Sequence, residues 1–201
     1  MELSEFNTNS TTFIKNGLPM VKRDLVFIDL ETTGLRIDHE ITEIGWLRVD
    51  PKTLEILESE NIKIKPTNLE LADKKALEIT NYSEENWSDA ISIEEAMKIF
   101  ISRNQGCVLV GYNFFYDWAW LYRTLNQLGA ANPPFYYHKL DVLSMAYILL
   151  KDLPNIENFS LNNICDFFNI KRENAHNAFY DAKFTFEIYK KLLNYINEHK
   201  I

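Results

Sequence analysis

The chain is poor in the residues that punctuate or staple a fold: its 201 residues include 6 glycines, 6 prolines and 2 cysteines. Cys107 and Cys165 both stand among apolar neighbours. That excludes a secreted disulfide framework and leaves two buried thiols expected in a reducing compartment. Scarce glycine and proline, with no repeat or low-complexity tract, exclude collagen-like and extensively disordered character. Basic charge is also short: 21 Lys and Arg against 29 Asp and Glu give a net charge of -8. A protein that coats duplex DNA or an anionic membrane by charge alone is thereby excluded, and a polyanionic partner would need help from metal ions. No run approaches the ~18 uninterrupted apolar residues of a membrane span. The first twenty residues carry Glu2 and Glu5 and no apolar stretch of signal-peptide length. The expectation is a soluble cytoplasmic protein.

What is present is ordinary globular material, 46% hydrophobic and 25% charged, enough for one sizeable core. Residues 1–23 are polar and aperiodic and read as an irregular arm; residues 24–201 read as the domain. Leu25 to Leu30 is a short apolar run closed by Thr32, Thr33 and Gly34, the pattern of a buried central strand. Ile41 to Val49 and Glu55 to Ile64 are further strands, antiparallel because only the turn Asp50-Pro51-Lys52-Thr53 joins them. Leu69 to Ile79 reads as one helix, and Ser92-Ile93-Glu94-Glu95 is a capping box opening another that runs to about Arg103. Cys107 to Val110 is a wholly apolar strand. Trp118, Leu121, Tyr122, Leu125 and Leu128 then fall at helical spacing, which places Asp117 at a helix start. Asp141 and Ser160 are N-caps, and Ala178, Ala182, Phe186, Tyr189, Leu193 and Ile196 form the stripe of a last helix. Strands first and helices later predict an α/β fold, a mixed sheet flanked by helices.

The oddest feature is Asp29 within the most hydrophobic strand, with Glu31 two positions on. Strand alternation puts both carboxylates on one face, where they repel unless a cation or shared proton lies between them. Asp29 could instead end the strand as a turn former, with Glu31 solvated. Asp117 projects from a strand's carboxyl end through Gly111-Tyr112-Asn113, although an acid there also stabilises a helix dipole. Asp181 shares the inward stripe of Ala178 and Ala182 and so needs a partner, and His176 lies five residues before it. Four carboxylates without a Cys or His cluster describe a hard-cation site for Mg²⁺ or Mn²⁺. Two such ions ~4 Å apart can clamp the attacking and leaving oxygens of a phosphodiester. His176 would then be the general base, because histidine ordinarily exchanges its proton near neutral pH.

Asp29-Leu30-Glu31-Thr32-Thr33-Gly34-Leu35, followed by Ile41-x-Glu43-Ile44-Gly45, resembles the first motif of the DEDDh family of 3'-5' exonucleases. That family includes polymerase proofreading subunits, ribonuclease T and oligoribonuclease. Gly111 to Asp117, with Leu121 beyond, resembles its second motif, and His176-Asn177-Ala178-Phe179-Tyr180-Asp181-Ala182 its third. The resemblance spans Asp24 to about Leu193. It implies a ribonuclease-H-like fold and two Mg²⁺ or Mn²⁺ ions on Asp29, Glu31, Asp117 and Asp181, with His176 as base. It also implies release of nucleoside 5'-monophosphates from single-stranded DNA or RNA 3' ends. Thr32, Thr33 and Leu35, the leucine acting as a wedge, and Asn113 are the implied substrate contacts. Tyr116 stands where the family usually has Phe, and Ile79-Thr80-Asn81 replaces Ile-Thr-Gly, Asn tolerating the left-handed backbone a glycine would provide. Single-stranded 3' ends are the expected partner, without membrane contact and without the polymerase tether of replicative subunits; a homodimer is left open.

Other motifs fall short. Gly106 and Gly111 have phosphate-loop spacing, but Tyr112-Asn113 replaces the Lys and hydroxyl residue. His39-Glu40-Ile41-Thr42-Glu43 lacks the second His of a zinc protease and reads as a solvated strand edge. No Gly-x-Ser-x-Gly elbow occurs. The aromatic block Tyr112, Phe114, Phe115, Tyr116, Trp118 and Trp120 could stack bases, but the helix stripe assigns most of it to the core. The rival from another class is a catalytically silent module that holds nucleic-acid ends, which predicts a lost ligand or base. No residue can be assigned to reading a 2'-OH, and the acidic surface favours short or single-stranded ends over duplex tracking.

Overall fold

The computed structural model describes residues 18–130, 132, 134–173 and 176–199; most of the expected arm, residues 1–17, lies outside them. Strand β1 (Leu25–Thr32) is the middle strand of a five-stranded sheet, with two strands on either side. It is central because its first four residues are apolar on both faces. Val26 and Ile28 enter one core, Leu25 and Phe27 the other. β2 (Ile41–Val49) and β3 (Ile56–Lys63) run antiparallel beside it. Their turn is closed by Asp50, whose carboxylate accepts from the backbone N–H of Lys52 and of Thr53 at 2.8 Å each. On the other side β4 (Val108–Gly111) and β5 (Leu140–Asp141) are parallel, so the sheet is mixed, as expected. β4 is buried along its whole length, as an all-apolar strand must be.

A 3₁₀ turn at Met20–Lys22 precedes β1, and the α-helices of the described residues are α1 (Lys74–Ile79), α2 (Ile93–Arg103), α3 (Phe115–Gln127), α4 (Val142–Leu150), α5 (Leu161–Phe167) and α6 (Ala178–His199). The capping residues act where the sequence placed them. Ser92 accepts from Glu95 N at 3.2 Å, Asp141 from Ser144 N at 3.2 Å and Ser160 from Asn163 N at 3.3 Å. α2 and α3 cover one face of the sheet, packing Met97, Phe100, Leu121 and Leu125 on Ile28 and Trp46. α4, α5 and α6 cover the other, with Ala146, Ile164 and Phe186 against Phe27 and Val110. Both cysteines are buried and free. Among the described residues no helix is long and apolar enough to cross a membrane.

Three local expectations change. The helix expected over 69–79 is a 3₁₀ turn, Leu69–Leu71, followed by the short α1. Ala72 is extended, and Asp73 both gives its N–H to Thr33 O at 2.8 Å and caps α1 by accepting from Lys75 N at 2.9 Å. The main chain is thus drawn out of the helix towards the β1–β2 loop, a pull that periodicity cannot register. β5 was not expected; at two residues it is too short to carry an alternation signal. His39 is not solvated: it is 7% exposed, and its Nδ1 accepts from Arg36 N at 3.4 Å. Its ring fills the space beside Gly34, where a Cβ would lie 2.0 Å from Nδ1.

Candidate active site

The alternation that sends Leu25 and Phe27 towards α6 continues to Asp29 and Glu31, which therefore lie on that same face. Pairing across the sheet sets Asp29 opposite Gly45, and Glu31 opposite Glu43. One strand further, Glu43 faces Lys63. Gly45 is required by packing: a Cβ there would sit 2.1 Å from Phe179 N and 2.3 Å from Ala178 C. The first turn of α6 therefore rests on β2 itself, which brings Asp181 down to the β1 acids. Asp117 arrives from the first turn of α3, its Oδ1 accepting from Leu30 N at 3.0 Å.

The four expected acids converge. Asp29 feels the charges of Asp117, Asp181, Glu31 and Glu43. Burial in the first place, and then those four carboxylates, push its carboxyl well above the usual range. Burial followed by Asp181, Glu43 and Asp117 raises Glu31 to about 8. Burial raises Asp117 to about 7, against the bond from Leu30 N. Asp181, 7% exposed, is also raised by burial, with Arg172 and His176 opposing. Such crowding is unfavourable for ionised acids and is relieved by a cation. Ligand atoms of Glu31, His176 and Asp181 lie within 4.8 Å of one another, and Asp181 Oδ1 is buried without a hydrogen-bond partner. Oxygen donors predominate, so the residues present fit a hard divalent cation.

His176 is exposed at the cleft and takes a left-handed backbone, φ 64°. Leu35 projects from the β1–β2 loop 84% exposed. That loop is held firmly: Thr33 N donates to Glu40 O at 2.8 Å, Glu40 N to the Thr33 hydroxyl at 2.9 Å, and the Thr32 hydroxyl to Gly34 O at 2.8 Å. Thr32 is half-buried, while Thr33 is buried with its hydroxyl engaged inside the loop. Asn113 is exposed, with φ 56°, at the turn between β4 and α3. Asn81, where the family has glycine, has φ 54°. Of the aromatic block, Tyr112, Phe114 and Trp120 are buried, Trp118 is half-buried, and Phe115 and Tyr116 are exposed. A recess of about 100 Å³ between Leu30, Thr32, Leu35, Tyr116, Asp117 and Trp120 flanks the acids on one side. A larger one of about 400 Å³ opens on the side of Glu43, Lys63, Trp87 and His176.

Two neighbours of the site carry no candidate role in the sequence. Glu43, read there as part of a solvated strand edge, is 1% exposed and a fifth buried acid; its signal was a single carboxylate inside an otherwise buried strand. Arg172, whose Nη2 lies 3.6 Å from Asp181 Oδ1, follows α5 in irregular chain and carried no periodic signal.

The sequence model of the RNase T exonuclease family matches residues 26–189. The chain belongs to this exonuclease family. A PolC-type DNA polymerase III of Caldanaerobacter subterraneus subsp. tengcongensis is 30% identical over 198 residues, which take in 92% of this chain and 13% of that protein. The chain thus spans a small part of the PolC-type relatives' length. Ribonuclease T of Haemophilus ducreyi is 27% identical over 191 residues, covering 86% of each chain. The solved structure of E. coli Exonuclease I with a dT13 oligonucleotide superposes with a TM-score of 0.71 at 20% identity, over 88% of this chain and 42% of the other. The exonuclease domain accordingly has the ribonuclease-H-like architecture, a mixed five-stranded sheet flanked by helices.

Proposed function

We propose that this exonuclease domain is a metal-dependent 3'-5' exonuclease that releases nucleoside 5'-monophosphates from single-stranded ends. The observation that carries the reading is the convergence of Asp29, Glu31, Asp117 and Asp181, with a ring nitrogen of the exposed His176 within 4.8 Å of carboxylate oxygens of Glu31 and Asp181. Asp29, Glu31, Asp117 and Asp181 would hold two Mg²⁺ or Mn²⁺ ions. When bound, these supply charge neutralisation and polarisation of the phosphodiester. His176, exposed at the cleft, takes the proton of the attacking water. Leu35 lies against the terminal base, with Thr32 and Tyr116 beside it in the smaller recess; Asn113 is exposed at the β4–α3 turn, and Thr33, buried, braces the loop that carries Leu35. The recess is narrow and the chain is acidic, which favours a frayed or single-stranded end over duplex.

The relatives' names pair a DNA polymerase with a ribonuclease, and E. coli Exonuclease I was solved on a DNA oligonucleotide. DNA and RNA ends are therefore both substrates to test. The domain is taken to begin at Asp24. A cytoplasmic setting suits the free thiols, which burial raises to about 12 at both Cys107 and Cys165.

The test is digestion of matched 5'-labelled DNA and RNA oligomers, single-stranded and duplex, with Mg²⁺ or Mn²⁺. A ladder shortening from the 3' end and abolished by EDTA is expected. His176→Ala should lower kcat roughly 10²- to 10⁴-fold while Mn²⁺ still raises Tm. Robust hydrolysis in excess EDTA would falsify the metal mechanism, and near-normal turnover of His176→Ala would assign the base elsewhere.

A further inference from the structure

We propose that Glu43 is a positioning residue for this reaction: its buried carboxylate clamps the start of α6 and so sets His176 and Asp181 against the acids of β1. The inference rests on the function proposed above. Glu43 sits in β2, 1% exposed, beside Glu31, where an acid is costly to bury. It is nevertheless well supplied with donors. Its Oε1 accepts from Asn177 Nδ2 at 2.6 Å and Asn61 Nδ2 at 2.5 Å, and its Oε2 accepts from Ala178 N at 3.3 Å. Lys63, its neighbour on β3, gives its ammonium to Asn86 O at 2.6 Å instead.

Two of the donors to Glu43, Asn177 and Ala178, are the hinge between His176 and α6. Asn177 follows His176 directly and caps the helix, its Oδ1 accepting from Tyr180 N at 3.3 Å while its backbone O accepts from Asp181 N at 3.0 Å. His176 holds φ 64°, a conformation that costs a non-glycine residue stability and persists only where its surroundings enforce it. Gly45, next but one to Glu43, removes the Cβ that would lift α6 off the strand. Contact at Gly45 therefore sets the height of the first turn, and the grip of Glu43 sets its rotation. Glutamate suits the position better than glutamine. Three N–H donors converge on two oxygens, and an amide would turn one of those oxygens into a donor facing a donor.

The test exchanges donor and acceptor. Glu43→Gln sets an amide against Ala178 N or Asn177 Nδ2, and in either orientation the first turn of α6, Ala178 N with it, loses part of its hold. Asn177→Asp keeps an acceptor for Tyr180 N, so the cap survives, but it places a carboxylate against Glu43. In the double variant the new amide can donate to the new carboxylate. Asn61, whose Oδ1 is buried without a partner, can turn its amide to accept. Each single variant should lower kcat on a 5'-labelled single-stranded oligonucleotide with Mn²⁺ by about 10- to 100-fold, with KM changed less than about 3-fold. The double variant should recover at least about half of that loss on a logarithmic scale. Independent losses in the double variant, or single variants that melt earlier but turn over normally below Tm, overturn the proposal. Hydrogen exchange at the Ala178 amide, read without metal or substrate, separates this from failure of the proposed function. Protection should fall in Glu43→Gln and return in the double variant, even if the wild type degrades no oligomer. Unchanged Ala178 protection refutes the clamp whatever the activity. Should Glu43→Gln not fold, Asn177→Asp and the double variant give the same comparison.

Discussion

The two halves of β1 share one strand and behave in opposite ways. Leu25 to Phe27 have neighbours on both sides, β2 at Val49 to Leu47 and β4 at Val108 to Val110. Beyond Phe27 the β4 ladder stops, and from Ile28 to Thr32 only β2 remains paired. The first half is sealed between two cores. The second opens a cleft at the carboxyl end of the parallel strands, where α/β sheets commonly bind ligands. Leu30 N lies in the half that β4 no longer accompanies, and Asp117 Oδ1 accepts from it there. The end of one strand thus both exposes the acids of β1 and fixes a further one. Stability is concentrated in the first half, and the strain of like charges in the second.

That contrast can be broken most strongly at Asp29. Asp29→Asn should lower exonuclease activity on the order of 10³-fold or more, since groups acting as a unit fail together. The same change should leave the metal-free protein equally or more stable, because it relieves repulsion at nearly constant shape. Steady-state rates and thermal melts of one preparation check both halves of the statement. Phe27→Ala, two residues earlier on the same face, should do the reverse. It removes a fully buried ring packed at 5.0 Å from Phe186 and 5.3 Å from Tyr189. The expected cost is about 3–5 kcal/mol in urea unfolding, with kcat of the remaining folded enzyme changed by less than about 10-fold. A large rate loss without destabilisation at Phe27 would erase the distinction between the halves.

A smaller effect sharpens it. Glu31 is raised from 4.5 to about 8, and Asp117 from 3.8 to about 7, so the folded state holds both protons more tightly than the unfolded chain. These groups therefore favour the fold at low pH. Their contribution is lost as pH rises from 3.8 to about 7 for Asp117 and from 4.5 to about 8 for Glu31. Metal-free Tm, followed in EDTA across that range, should carry this downward component with rising pH, weaker in Glu31→Gln. Saturating Mn²⁺, at 100 times its Kd, should offset the loss near pH 8 and raise Tm by about 5–11 °C. A Tm that is insensitive to Mn²⁺ at pH 8 while Glu31→Gln melts well below wild type would show these acids serving the fold instead.

Much of this was legible in the chain itself, because its signals are local. An apolar run interrupted at alternate positions by Asp29 and Glu31 states which face the acids share. Ser92, Asp141 and Ser160 announce helix starts through groups they bond within three residues. Wholly apolar β4 declares burial on both faces, and Asp181 on the inward stripe of α6 declares that it needs company. What the sequence could not state are relations set by contacts distant along the chain. The break at Ala72–Asp73 answers to Thr33, and His39 is buried because Gly34 leaves it room. The grip of Glu43 on Asn177 spans 134 positions. Residue type and spacing determine which faces are apolar and which helices are capped, since those depend on backbone periodicity and near neighbours. Where β4 ends beside β1, how closely α6 approaches Gly45, and hence which carboxylates share one cleft were decided only by tertiary packing.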